Sequence, residues 1–123
     1  MIYLASPYSH PHAVVRELRF RNACLATTQL LRTGHSVFSP VVYGHPLAAH
    51  GLPTDWSFWE PFDRDHICRC DMVLVLMLDG WHESVGVTAE VEIAAELGLP
   101  IHYLAPDAAV SPTLAHVATE PEP

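Results

Sequence analysis

The sequence predicts a single α/β domain: one doubly wound, mostly parallel sheet of four to five strands with helices on both faces. Three observations carry this. The run Met72-Val73-Leu74-Val75-Leu76-Met77-Leu78 is apolar on both strand parities, as in a central strand covered on both faces. Strand-like segments alternate with helical stretches of ten or more residues, which implies right-handed crossovers between parallel strands. With 123 residues there is enough chain for one core and no need of a second domain.

In chain order, Met1–Ala5 is a short β-forming run, ended by the breaker-rich Ser6-Pro7-Tyr8-Ser9-His10-Pro11. A first crossover helix is expected from His12 or Ala13 to Thr33, uninterrupted by Gly or Pro and closed by Gly34. Val14, Leu18, Leu25 and Leu30 form its apolar stripe, while Arg16, Arg19, Arg21 and Arg32 lie on a solvated face or turn toward an acidic site. His35–Val42 reads as the second strand, placed near an edge by Pro40. Tyr43–Thr54, with Gly44, Pro46, Gly51 and Pro53, reads as a long loop of the kind that often covers a binding site.

Asp55 is placed to cap a helical region that runs to about Cys70, with Pro61 expected to kink or restart it. Trp56, Phe58 and Trp59 serve either a core or oligomer contact or a stack for a planar ligand. Asp63 and His66 are spaced to share one helix face. After the central strand come the loop Asp79–Glu83, a helix opening at Ser84-Val85-Gly86, and a fourth strand over Leu99–Ala105. The domain is taken as 1–119, with 120–123 as a disordered tail.

The helix after Ser84 holds the least ordinary residue. At about 100° per residue, Gly86, Val87, Val91, Ile93, Ala94, Ala95 and Leu97 form one apolar arc. Glu90 lies inside that arc, whereas Glu92 and Glu96 fall on the polar side. A carboxylate aimed at a core is uncommon unless it is paired, capped or functional. Ligands of such sheets bind beyond the carboxyl ends of the strands, and the helix N-terminus at Ser84–Gly86 would favour an anion about one turn from Glu90.

Composition narrows the partners. A net charge of −8 and a pI near 5.4 exclude polynucleic acid and an anionic membrane surface. No apolar run approaches the roughly 20 residues of a membrane span, no leader is read at the N-terminus, and cytoplasm is the expected location. Cys24, Cys68 and Cys70 cannot complete a disulfide framework. Nine histidines invite a metal, but none stands at a ligand spacing, so neither metal nor cofactor is expected. The absence of GxGxxG and of a Walker lysine leaves a flavodoxin- or Rossmann-like sheet without dinucleotide or P-loop chemistry.

Ile2-Tyr3-Leu4-Ala5, Asp63 eight residues before Asp71, and Ser84-x-Gly86-x-x-x-Glu90 together resemble the nucleoside 2-deoxyribosyltransferase superfamily, including its deoxynucleotide N-glycosidase branch. Leu4–His10 and Gly34–Val41 also resemble small uncharacterised bacterial proteins. The superfamily resemblance implies that Glu90 attacks the anomeric carbon, that the Tyr3 hydroxyl orients it, and that Asp63 gives a proton to the leaving base. Tyr8 is a rival for the orienting role. Ser6, Pro7, Tyr8, Ser9, Ser84 and Gly86 would hold the sugar and its 5′ end. Ser84 stands where the transferases have Asp, which implies a nucleoside 5′-monophosphate over a nucleoside, and no Asn follows Asn22 to complete a transferase site. The resemblance further implies a homodimer or higher homo-oligomer. The alternatives are a non-catalytic nucleotide-binding module using the same cleft, and a partner-binding domain in which Glu90 is ion-paired.

Overall fold

A computed structural model describes residues 1–107; the expected tail at 120–123 lies outside the described residues. Four strands, β1 (Ile2–Ala5), β2 (Val37–Phe38), β3 (Met72–Leu76) and β4 (Ile101–Leu104), form one sheet in the order β2-β1-β3-β4, and every pair is parallel. The helices are α1 (Ala13–Arg32), α2 (Pro40–Ala48), α3 (Trp56–Cys68) and α4 (Val85–Glu96). A single 3-10 turn, Trp81–Glu83, precedes α4. The doubly wound, flavodoxin-like architecture is therefore the one that the alternation of elements predicts.

Strand parity divides the core. Ile2, Leu4, Leu74, Leu76 and Leu104 point to one face and pack under Ala26 and Leu30 of α1. Tyr3, Ala5, Val73 and Val75 point to the other, against Ile67 of α3 and Val87, Ile93 and Ala94 of α4. In the register that pairs Tyr3 with Val73, a tyrosine thus enters the same layer as α3 and α4. The chain leaves β1 to form β2 on one side and returns to form β3 on the other. The ends of β1 and β3 are consequently the switch point, where connecting loops diverge and leave a crevice.

Four sequence expectations are corrected. The second strand is only two residues long, and most of 40–48, read as strand end and loop, is the helix α2. The cause is local: the Ser39 hydroxyl accepts from Val42 N at 3.1 Å as an N-cap, and Pro40 occupies the first turn, where its missing N–H costs nothing. Pro61 does not restart α3, which runs as one helix from Trp56 to Cys68. On α1 the stripe is different: Val14, Leu18 and Leu25 are 74%, 57% and 63% exposed, and Ala23, Ala26 and Leu30 face the sheet. The apolar arc of α4 is likewise narrower than the wheel, with Val87, Glu90, Ile93 and Ala94 buried and Leu97 exposed.

The loops at the switch point are clamped by an arginine of α1. Arg19 Nη1 donates to Ser9 O at 2.9 Å and Tyr8 O at 3.4 Å, and Nη2 donates to Asp79 O at 3.2 Å, so one guanidinium ties the loop after β1 to the loop after β3. Gly80 permits this. Its φ is +86°, and a Cβ there would sit 2.5 Å from Arg19 Nη2. Gly80→Ala is expected to cost about 1 kcal/mol or more and to speed amide exchange in both loops. Hydrogen-exchange mass spectrometry checks this, and unchanged exchange at residues 8–10 and 79–81 would contradict the clamp.

Candidate active site

A cleft of about 440 Å³ opens at the switch point. One wall is the loop after β1, through Ser6, Tyr8 and Ser9; the next is α2, through Pro40, Val41, Gly44 and His45. Pro53, Thr54, Asp55, Trp56 and Trp59 close the third side, and Glu83–Gly86 the fourth. Asp63 and Glu90 form the floor.

The floor groups are brought together by the two sheet layers described above. Glu90 is 3% exposed, and the Tyr3 hydroxyl, wholly buried behind the cleft, donates to Glu90 Oε2. Asp63, one turn beyond Trp59 and two beyond Trp56 in α3, is 5% exposed, and its Oδ1 has no hydrogen-bond partner among the described residues. No Lys or Arg among the described residues pairs with Glu90 or Asp63. The arrangement is therefore not a buried ion pair.

Burial pushes the Glu90 carboxyl well above the usual range; the Tyr3 hydrogen bond opposes this, and the nearby Asp63 carboxyl adds to the rise. Burial likewise pushes Asp63 up to about 7, with Tyr3 opposing and the Glu60 charge adding. Tyr3 is raised well above its ordinary value by burial and by both carboxyls, so it stays protonated and serves as a donor. Two carboxyls under one phenol behave as a coupled pair that holds protons near neutrality. Such a pair can present one ionised and one protonated carboxyl to the same ligand.

The side of the cleft at the start of α4 is built from hydroxyls and a helix start. Ser84 caps α4, its Oγ accepting from Val87 N at 3.1 Å, which leaves its own O–H free to donate into the cleft. Ser6 Oγ is buried on the cleft wall with no partner among the described residues. Gly86 lies beneath the Trp56 ring, and Ser9 donates to Thr54 O at 3.1 Å, linking two walls. The structure thus places Tyr3, Ser6, Tyr8, Ser9, Asp63, Ser84, Gly86 and Glu90 at one locus. Pro7 is the exception, fully buried and off the lining.

Tyr8 does not approach Glu90 in place of Tyr3. Its hydroxyl meets His45 Nδ1 at 2.7 Å, and His45 Nε2 meets Glu17 Oε1 at 2.9 Å, with the imidazole stacked on Phe20 at 4.4 Å. The Glu17 carboxylate accepts from Nε2–H, which leaves Nδ1 to accept from Tyr8. The His45 and Arg21 hydrogen bonds hold Glu17 below the usual carboxylate range, whereas burial raises Tyr8. This chain joins the first binding loop to α1 and α2. Sequence reasoning missed it because Glu17 and His45 stand far apart in the chain; the overlooked Ser39-Pro40 helix start was the signal that could have placed His45 on a wall.

Other candidates resolve structurally. His66 stacks on Phe38 at 4.1 Å and bonds Phe62 O at 2.9 Å through Nδ1, away from the cleft, so it does not share a reactive face with Asp63. Trp56 and Trp59 do line the cleft, and Trp59 is fixed by donating to Pro53 O at 2.8 Å, while Phe58 points outward. Among the described residues no group of three or more His, Cys, Asp or Glu could hold a metal, and no helix is long and apolar enough to cross a membrane.

A parallel four-stranded sheet with this cleft at its switch point is a deoxyribosyltransferase-like α/β fold. The solved structure of a 2-deoxyribosyltransferase from the psychrotolerant bacterium Bacillus psychrosaccharolyticus, described as a biocatalyst for nucleoside synthesis, matches 95% of this chain and 81% of its own, with a TM-score of 0.59 and 23% identity. The chain belongs to the DUF1937 family, a domain family of unknown function whose model matches residues 1–105. No curated protein matches the chain.

Proposed function

We propose that this protein cleaves, or transfers, the N-glycosidic bond of a nucleoside or nucleoside 5′-monophosphate. The observation that carries the reading is the buried Tyr3–Glu90–Asp63 group on the floor of a cleft of nucleoside size. Glu90, whose ionised form the Tyr3 hydrogen bond favours, attacks the anomeric carbon with the proton of the carboxyl pair held on Asp63, while Tyr3 holds its Oε2. Asp63, kept protonated up to about pH 7, gives its proton to the departing base. A water, or a second base, then takes the glycosyl group from Glu90, and Asp63 recovers its proton.

Cleft charge refines the substrate. Its lining carries Asp55, Asp63, Glu83 and Glu90 and no Lys or Arg. Arg16 and Arg19 of α1 are already engaged, Arg16 on His10 O and Arg19 on the carbonyls of Tyr8, Ser9 and Asp79. A phosphate dianion would have the start of α4 to set against Asp55, Glu83 and the ionised member of the Asp63–Glu90 pair. The cleft therefore favours a nucleoside, against the monophosphate that Ser84 implies by resemblance. Chromatography of a panel of ribo- and deoxyribonucleosides and their 5′-monophosphates is expected to show free base from at least one nucleoside, and slower release from its phosphate. Ligand-induced thermal stabilisation with every substrate recovered intact would instead support a non-catalytic binding module.

A further inference from the structure

The charge on the cleft carries further than a preference for nucleoside over phosphate. Asp55, Asp63, Glu83 and Glu90 converge on a space bounded by the indoles of Trp56 and Trp59. Acidic groups alone do not make a site, but two side chains here point to an occupant. Asp63 and Ser6 line the cleft and are only 5% exposed, and Asp63 Oδ1 and Ser6 Oγ are buried without hydrogen-bond partners among the described residues. Buried polar atoms without partners, in a cleft lined by four carboxyl side chains and two indoles, are complementary to a planar cation.

We propose that the cleft selects nucleosides whose base carries a fixed positive charge, such as a pyridinium or an N-alkylated purinium ring. The proposal rests on the N-glycosidic reading given above and names its substrate class. The base would lie between the carboxyls and the indoles, where ring quadrupoles attract a cation. Trp59 is held for this by its bond to Pro53 O. The cation in turn favours the ionised forms of the buried carboxyls, so the substrate itself charges the Glu90 nucleophile.

The chemistry balances without a proton on the leaving group. As Glu90 forms its bond to C1′, the C1′–N bond breaks and its electron pair passes to the ring nitrogen, cancelling the positive charge and releasing a neutral base. Water then attacks C1′, its oxygen bonds to the sugar, Glu90 departs as carboxylate, and the proton passes through the ionised Asp63 to solvent.

The test compares nicotinamide riboside with benzamide riboside, its uncharged isostere joined by a C–C bond. Binding is measured by calorimetry on the Glu90→Gln protein, and base release on the wild type with nicotinamide riboside beside inosine and cytidine. Nicotinamide riboside is expected to bind about tenfold more tightly than the isostere. The double variant Asp55→Asn, Glu83→Gln is expected to weaken only the charged ligand. Equal affinities together with base release from the neutral nucleosides would overturn the charge selection and leave the glycosidase reading standing. A tenfold preference with no base released from any nucleoside would uphold the selection and remove the glycosidase. Equal affinities with no release would remove both.

Discussion

Glu90→Gln is expected to lower base release at least about a thousandfold while leaving the melting temperature at or above that of the wild type. The two halves of this outcome have one cause. Glu90 is held in a buried site that raises its proton affinity, with a single hydroxyl as partner, so its ionised form is a cost to the folded state. Glutamine fills the same space and still accepts from Tyr3, but it has no charge to desolvate and no oxygen able to attack carbon. Activity and stability measured on one preparation check this. A variant that loses stability along with activity would point to a structural carboxylate. One that keeps activity would dismiss Glu90 as the nucleophile.

Asp63 gives the second large effect, read in the pH dependence of folding. Its carboxyl is raised from 3.8 to about 7 on folding. Between those values the native state binds the proton that the unfolded chain has released, so stability falls as pH rises through the window and levels off above it. The full shift corresponds to a loss of up to about 4 kcal/mol for this group, and Glu90 acts in the same direction. Urea unfolding at pH 5 and pH 8 is expected to show greater stability at pH 5. Asp63→Asn should make that slope shallower, the remainder belonging to Glu90, and a slope unchanged in the variant would assign it elsewhere.

Much of this site was legible because it depends on periodicity. Glu90 stands out on a helical wheel, and the apolar run at β3 identifies the central strand whose following loop feeds α4. Tyr3 was reached only through resemblance, and Asp63 was marked by spacing only as a neighbour of His66, although strand parity accounts for their meeting afterwards: Tyr3 shares its face with Val73 and Val75, and that face is covered by α3 and α4. What stayed hidden is of another kind. Ala23 and Ala26 bury the inner face of α1, and small residues leave little hydrophobic signal beside the better spaced but exposed Val14, Leu18 and Leu25. Ser39-Pro40 can end a strand or begin a helix, and only the capping bond to Val42 decides it. The Arg19 clamp and the Glu17–His45–Tyr8 chain join residues distant in sequence, for which no local pattern exists.

The most direct test of Glu90 as nucleophile is mass spectrometry of the protein incubated with a substrate nucleoside bearing fluorine at the sugar 2′ position. Fluorine withdraws charge from the oxocarbenium-like transition state and slows breakdown of a glycosyl-enzyme. The predicted result is a mass increase of one fluorinated sugar, located to the peptide containing Glu90 and absent from Glu90→Gln. Base release by the wild type without any adduct, or an adduct on a different residue, would contradict the account.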